Sequence, residues 1–68
     1  MKEILKHIVE ELKFEDIDIF EMNGELFIYI QDRDVVAIME QINEKLLYHN
    51  LVLLNHTLKM ATVQPLKK

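Results

Sequence analysis

The sequence contains no cysteine, no serine and no tryptophan, and it has one glycine and one proline. Without cysteine the chain can form neither a disulfide nor a zinc site with thiolate ligands. Without serine, and with Thr57 and Thr62 as the two threonines, it shows no sign of a nucleophilic triad. A phosphate-binding loop rich in glycine is also excluded, because Gly24 is the single glycine.

Long apolar runs are missing as well. No segment approaches the roughly 20 apolar residues needed to cross a bilayer. Residues 1–4 carry charge early and do not begin the apolar run of a signal peptide. We therefore expect a cytoplasmic protein without a membrane partner.

The length and composition predict one small folded domain over residues 1–68. Half of the residues are hydrophobic and 29% are charged, as in a globular domain rather than a disordered acidic tail. A domain this short buries only about 60% of the surface that its unfolded chain exposes, so its core is marginal. Because disulfides cannot add stability, we expect a homodimer.

Two stretches have apolar residues at helical spacing. We predict one helix over residues 2–13 and a second from residue 33 to residue 48 or 49. Asp32 or Asp34 is expected to cap the second helix, and Asn50 to end it. The apolar stripes are Ile4, Leu5, Ile8, Val9 and Leu12 in the first, and Val35, Ile38, Met39, Ile42 and Leu46 in the second.

A β-hairpin is predicted over residues 16–31, where Asn23-Gly24 separates two runs of alternating apolar residues. Asn-Gly favours a two-residue type I′ turn, because both positions need a positive φ. This turn fixes the register and the two faces of the hairpin. Across the two strands the predicted pairs are Met22–Glu25, Phe20–Phe27, Asp18–Tyr29 and Asp16–Gln31, and all of these residues share one face. The opposite face holds Ile17, Ile19, Glu21, Leu26, Ile28 and Ile30.

Residues 51–63 predict a second hairpin that turns at Asn55-His56, with one long strand as the alternative. Pro65 is expected to end the strand pairing, and residues 64–68 to form a loose tail. The element order is then α-β-β-α-β-β, an α+β domain with two helices packed on one face of an antiparallel sheet. The other face would carry an apolar area formed by Phe20, Phe27, Tyr29, Val52 and Leu54.

Catalytic, metal and cofactor sites are not predicted. His7, His49 and His56 are widely spaced and form neither an HxxxH nor an HExxH pattern. Paired carboxylates such as Asp16 and Asp18 could act as acid and base, but two thin layers rarely build the cleft that catalysis needs. We therefore assign no catalytic residue, no metal ligand and no cofactor, and we expect a protein that is not an enzyme.

Acidic residues are concentrated between residues 10 and 44. This stretch has eleven of the twelve acids, and with Lys13 and Arg33 its net charge is nine negative charges. Such a field opposes direct binding of nucleic acid. The acids either form a solvated face that keeps the protein soluble or complement a basic protein surface. The candidate partner-binding acids are Glu10, Glu11, Glu15, Asp16, Asp18, Glu25, Asp32, Asp34, Glu40 and Glu44; the candidate apolar interface is Phe20, Phe27 and Tyr29.

The spacing of these acids adds a further expectation. Asp16 and Asp18 on a strand would lie about 6.7 Å apart, and Glu40 and Glu44 on a helix about 6 Å apart, close to the phosphate spacing of one nucleic-acid strand. In size, charge and mixture of acids with aromatics, the chain resembles small phage-encoded inhibitors that imitate DNA, although its net charge of −4 is modest for that class. The resemblance implies a nucleic-acid-binding protein as partner. The alternative is a structural or adaptor subunit that binds through the apolar sheet face.

Overall fold

The computed structural model of the protein describes residues 1–66 and confirms the predicted α-β-β-α-β-β order. The elements are α1 (Lys2–Glu11), β1 (Ile17–Met22), β2 (Glu25–Ile30), α2 (Val35–Leu47), β3 (Leu51–Asn55) and β4 (Met60–Pro65). The strands form one antiparallel sheet in the order β1-β2-β4-β3. Both helices pack on one face of this sheet. Within the described residues no helix is long and apolar enough to cross a membrane.

The core lies between the helices and the aliphatic face of the sheet, as predicted. Central strands β2 and β4 supply Ile28, Ile30 and Ala61, which are fully buried. From the helices, Leu5 and Ile42 reach the same layer and are equally inaccessible to solvent. The remaining buried members are Ile8, Leu26, Val35, Ile38, Met39, Leu46, Leu51 and Val63.

The first hairpin has the predicted turn and register. Asn23 has φ 53° and Gly24 has φ 78°, so both turn residues are in the left-handed region that a type I′ turn needs. Met22 faces Glu25, and Phe20 faces Phe27. Beyond the strand ends, the Gln31 N–H donates to the Asp16 carbonyl at 3.0 Å, which continues the pairing as predicted.

Both helices are shorter than predicted. Helix α1 ends at Glu11, because Lys13 adopts a left-handed φ of 59° and turns the chain away. Helix α2 begins at Val35 rather than at residue 33. Asp34 is the N-cap residue of α2, one of the two predicted, but its side chain makes no capping hydrogen bond. Asp32 instead accepts the Asp34 N–H at 2.9 Å, which forms a local turn before the helix.

The C-terminal end of α2 also differs from the prediction. The helix ends at Leu47, and Asn50 has φ 59° three residues later. Asn tolerates this left-handed conformation, so Asn50 redirects the chain into β3 rather than directly following the last helical residue.

The second hairpin exists, so the alternative of one long strand is wrong, and so is the predicted turn at Asn55-His56. Asn55 is the last residue of β3, and residues 56–59 form a four-residue loop. In this loop the Met60 carbonyl accepts the N–H groups of His56 and Thr57, at 2.9 and 3.2 Å. The Thr57 hydroxyl oxygen then accepts the Met60 N–H at 3.1 Å, so side-chain bonding replaces a tight two-residue turn.

The loose tail was predicted to begin at residue 64, which is too early because β4 extends to Pro65. Gln64 and Pro65 belong to β4 and pair with β3; the strand ends at Pro65, but one further backbone hydrogen bond lies beyond it. The Leu66 N–H donates to the Asn50 carbonyl at 2.8 Å. Residues 67 and 68, the rest of that tail, lie outside the described residues.

Candidate functional site

Seven of the ten candidate acids lie at one end of the molecule. At this end α1 finishes, β1 starts, and the loop from β2 leads into α2. Lys2 at the start of α1 lies 3.7 Å from Glu21 near the end of β1, so helix and strand run in opposite directions. The bond from Gln31 to the Asp16 carbonyl joins the two loops that carry most of these acids. We call this region the acidic end; its acids are Glu10, Glu11, Glu15, Asp16, Asp18, Asp32 and Asp34.

The basic residues at the acidic end are fewer. Lys13 and Arg33 lie in the same two loops, and Lys59 joins them because its carbonyl accepts the Ile30 N–H at 2.8 Å. Seven acids against three bases leave an excess of four negative charges. Six of the acids are exposed and Asp32 is half-buried. The acidic end is therefore a solvent-facing, negatively charged surface whose acids come from two segments of the chain, with Lys59 on a third.

The other three candidate acids are not part of this surface. Glu25 follows the turn at the opposite end of the first hairpin. Glu40 and Glu44 lie one turn apart on the exposed side of α2, as predicted. The structure thus does not bring all ten acids together.

Asp16 and Asp18 lie on either side of Ile17, the first residue of β1. Asp16 precedes the strand and has a left-handed φ of 58°, and the spacing of about 6.7 Å expected for the pair stays a prediction. Asp18 is in β1 and its carboxylate accepts a hydrogen bond from the Gln31 side-chain amide at 3.0 Å.

The sheet face opposite the helices carries the second candidate surface. Because side chains alternate along each strand, the observed register places Phe20, Phe27, Tyr29, Val52 and Leu54 on this face together, as predicted. We call it the open face. Its further members are Asp18, Met22, Glu25, Met60, Thr62 and Gln64.

Phe27 lies on the open face but is only 7% exposed. The Phe20 ring stacks on it with centroids 5.2 Å apart and an angle of 3° between the ring planes. The His56 ring covers it from another side, at a centroid distance of 5.9 Å. As positioned here, Phe27 therefore supports the surface rather than being available to a partner.

His56 has a position that the sequence analysis did not predict. Its Nε2 lies 2.9 Å from the Thr62 hydroxyl oxygen, and Thr62 is fully buried although it lies on the open face. The Gln64 side-chain amide donates to the same oxygen at 3.4 Å. The sequence could have predicted that His56 lies on the open face, because Val52, Leu54 and His56 are spaced by two. The turn predicted at Asn55-His56 excluded that interpretation.

Exposed apolar side chains surround this buried centre. Tyr29, Met22 and Leu54 on the strands are exposed, and Leu58 in the loop of residues 56–59 is 70% exposed. The open face thus combines a packed centre with an accessible apolar margin. Exposed apolar side chains grouped in this way are typical of a surface that contacts another molecule.

The histidines do not form a metal site. His7 and His49 line one shallow depression together with Glu3 and Ile4, whereas His56 lies on the open face. Among residues 1–66 there is no group of three or more histidine, aspartate or glutamate side chains that could hold a metal ion.

The chain matches no protein family, no curated protein and no solved structure. The fold defines the class: a small two-layer α+β domain with helices on one face of a four-stranded antiparallel sheet.

Proposed function

We propose that this protein is a non-enzymatic interaction domain whose acidic end binds a basic protein surface. The observation that carries the proposal is the convergence of seven acids, from two segments of the chain, at one end where three bases lie. Negative charge concentrated on one surface steers a positive partner toward that surface and disfavours others.

The local structure does not require several of these acids. Glu10 and Glu11 lie in the last turn of α1, which contains no basic residue. Negative charge there is unfavourable, because the unpaired carbonyl groups make the C-terminal end of a helix negative. Acids that do not stabilise the fold where they lie are better explained by a partner.

Hydrogen bonds order part of the acidic end before binding. The Asp32 carboxylate accepts the Asp34 N–H, and the Asp18 carboxylate accepts a bond from Gln31. The Gln31 backbone N–H is also bonded to the Asp16 carbonyl. Groups that are already ordered lose less conformational freedom on binding, so this bonding favours affinity.

The proposed partner is a cytoplasmic protein with a basic surface, and a nucleic-acid-binding protein is the specific form that we propose. Such a partner presents lysine and arginine side chains spaced for phosphates. Occupation of that surface by the acidic end would displace nucleic acid. The cluster of acids supports this version, and the spacing of about 6.7 Å expected for Asp16 and Asp18 stays a prediction.

A pair of charge-reversal variants tests the proposal. Glu10→Lys with Glu15→Lys changes the acidic end, and Glu40→Lys with Glu44→Lys makes the same change in net charge on α2. All four residues are exposed. Partners captured from the native cell by the tagged protein at low salt are expected to be lost in the first variant and retained in the second. Equal retention in both variants would contradict the role of the acidic end.

Displacement separates nucleic-acid mimicry from simple protein binding. A captured partner is loaded with labelled nucleic acid and titrated with the wild-type protein at low salt. Release of the label by the wild type, but not by the Glu10→Lys, Glu15→Lys variant, supports mimicry. Binding without release of the label would support an interaction domain and reject nucleic-acid mimicry.

The open face supports a second candidate function, that of a structural or adaptor subunit. The observation that favours it is the margin of exposed Tyr29, Met22 and Leu54 around the buried Phe27. Binding through this face, to another protein or to a second copy in the expected homodimer, would change little between low and physiological salt. Binding through the acidic end would weaken steeply over the same range, because screening shortens charge interactions to about 8–10 Å.

A further inference from the structure

The two edges of the sheet differ in charge. Edge strand β1 carries Asp18 and Glu21, whereas edge strand β3, with the sequence Leu-Val-Leu-Leu-Asn, carries no charged residue. An uncharged, apolar edge strand is a template for pairing with another strand, and natural proteins usually protect such edges. The β3 edge therefore needs either a partner or protection.

The hydrogen bonds of β3 show which backbone groups face outward. The Asn50 carbonyl accepts the Leu66 N–H, and the His56 N–H donates to the Met60 carbonyl. Because bonded positions alternate in an antiparallel pair, the even-numbered residues of β3 bond to β4. The backbone groups of Leu51, Leu53 and Asn55 then face away from the sheet, with Leu53 at the centre.

The side chain of Asn43 in α2 covers the outward-facing backbone N–H of Leu53. Its side-chain oxygen accepts the Leu53 N–H at 3.0 Å. A side chain thus takes the bond that the carbonyl of an added strand would make. Val36, Met39 and Glu40 of α2 line the shallow groove beside it, together with Asn43, Leu53 and Asn55.

We propose that the β3 edge is a pairing surface for the β3 strand of a second copy of this chain, and that Asn43 controls access to it. Antiparallel pairing centred on Leu53 places Val52 of one copy opposite Leu54 of the other, and neither strand carries a charged residue. The two four-stranded sheets would join into one sheet of eight strands. This surface is separate from the acidic end, so the inference does not depend on the proposed function.

Replacement of Asn43 by an apolar residue of similar size tests the inference. In Asn43→Leu the Leu53 N–H has no side-chain acceptor, and each copy in a pair loses one competing hydrogen bond. The dissociation constant of self-association is expected to fall about tenfold or more relative to wild type. Sedimentation equilibrium over a range of concentrations measures this change.

Two further variants distinguish specific strand pairing from nonspecific apolar association. Gln41→Leu adds the same apolar side chain at an exposed α2 position that lies two residues from Asn43 and faces a different side of the helix. It is expected to behave as wild type. Asn55→Lys in the Asn43→Leu background adds charge to the edge strand at an exposed residue that is not on the open face, and it is expected to restore the wild-type association. Equal association of Asn43→Leu and Gln41→Leu, or no gain in Asn43→Leu, would overturn the proposal.

Amide hydrogen exchange on the wild-type protein gives a test that needs no variant. The Leu53 amide is expected to exchange more slowly than the Ile19 amide, its counterpart facing away from β2 on the other edge. If Leu53 exchanges as fast as Ile19 in dilute protein, Asn43 does not guard the edge and the proposal fails.

Discussion

Four non-glycine residues with positive φ set the course of the chain between its elements. Lys13 and Asp16 redirect it between α1 and β1, Asn23 lies in the first turn, and Asn50 precedes β3. Asn and Asp tolerate this conformation better than other residues, because their short polar side chains bond locally. The two asparagines were predictable for that reason, whereas Lys13 carried no such signal.

Gly24 is the position where backbone freedom matters most. It has φ 78°, and a Cβ added there would meet no atom within 4 Å, so any cost of substitution comes from the backbone alone. We expect Gly24→Ala to lower the free energy of unfolding by about 1–2 kcal/mol. Urea denaturation followed by circular dichroism measures the change.

The matched control for this position is its neighbour in the turn. Asn23→Gly keeps a residue that accepts positive φ and is expected to change the free energy of unfolding by about 0.5 kcal/mol or less. A Gly24→Ala variant as stable as Asn23→Gly would show that the turn does not hold the positive φ described here.

At the scale of the element, α1 has acids at both ends, and the helix dipole gives them opposite effects on stability. Glu3 lies in the first turn, and Glu10 lies in the last turn without a basic residue near it in the helix end. Negative charge is favourable at the first position and unfavourable at the second. We expect Glu10→Gln to raise the free energy of unfolding by about 0.3–1 kcal/mol, and Glu3→Gln to lower it by a similar amount.

Thermal and urea unfolding at low ionic strength check this opposite pair. Since both variants remove one negative charge from the same helix, a change in net charge alone would shift both in one direction. Two shifts of equal sign would therefore exclude the dipole as the cause. A more stable Glu10→Gln that also binds partners less well would fit an acid kept for binding.

The strands also show how an element receives its role from its neighbours. Strand β2 is central and has four buried side chains, among them Phe27 on the open face. Strand β1 has none, although its apolar residues alternate in the same way. Sheet order, rather than composition, accounts for this difference, because a central strand is flanked on both edges.

At the scale of the whole molecule, the separation of charge affects stability. The acidic end has seven acids against three bases. Within residues 1–66, the ion pair Lys2–Glu21 and the contact of 4.0 Å between His7 and Glu11 are both exposed. Repulsion among the acids should therefore outweigh attraction at low salt. Sodium chloride raised from about 10 to 200 mM is expected to increase the free energy of unfolding, by an amount on the order of 1 kcal/mol.

The charge-reversal variants supply the control for this salt effect. Glu10→Lys with Glu15→Lys relieves the repulsion, so its stability should depend less on salt than that of the wild type. Glu40→Lys with Glu44→Lys leaves the acidic end intact and should keep most of the dependence. Stability of the wild type that falls as salt is added would mean that attraction, not repulsion, dominates the surface.

The sequence alone determined the elements, the first hairpin and the separation of the sheet into two faces. These follow from short-range rules: helical spacing of apolar residues, alternation in strands, and the positive φ that Asn23-Gly24 accepts. The second turn was predicted less well, because Thr57 stabilises a four-residue loop through its side chain and such bonds have no fixed sequence period.

Only the tertiary structure decided which residues lie together. It gathered Glu10, Asp16 and Asp32 at one end, placed His56 over Phe27, and brought Asn43 of α2 to the Leu53 amide. These contacts depend on strand order and on how the helices lie across the sheet, and residues distant in sequence carry no local sign of them. The physical reason is that packing of whole elements, rather than local backbone preference, fixes distances between segments.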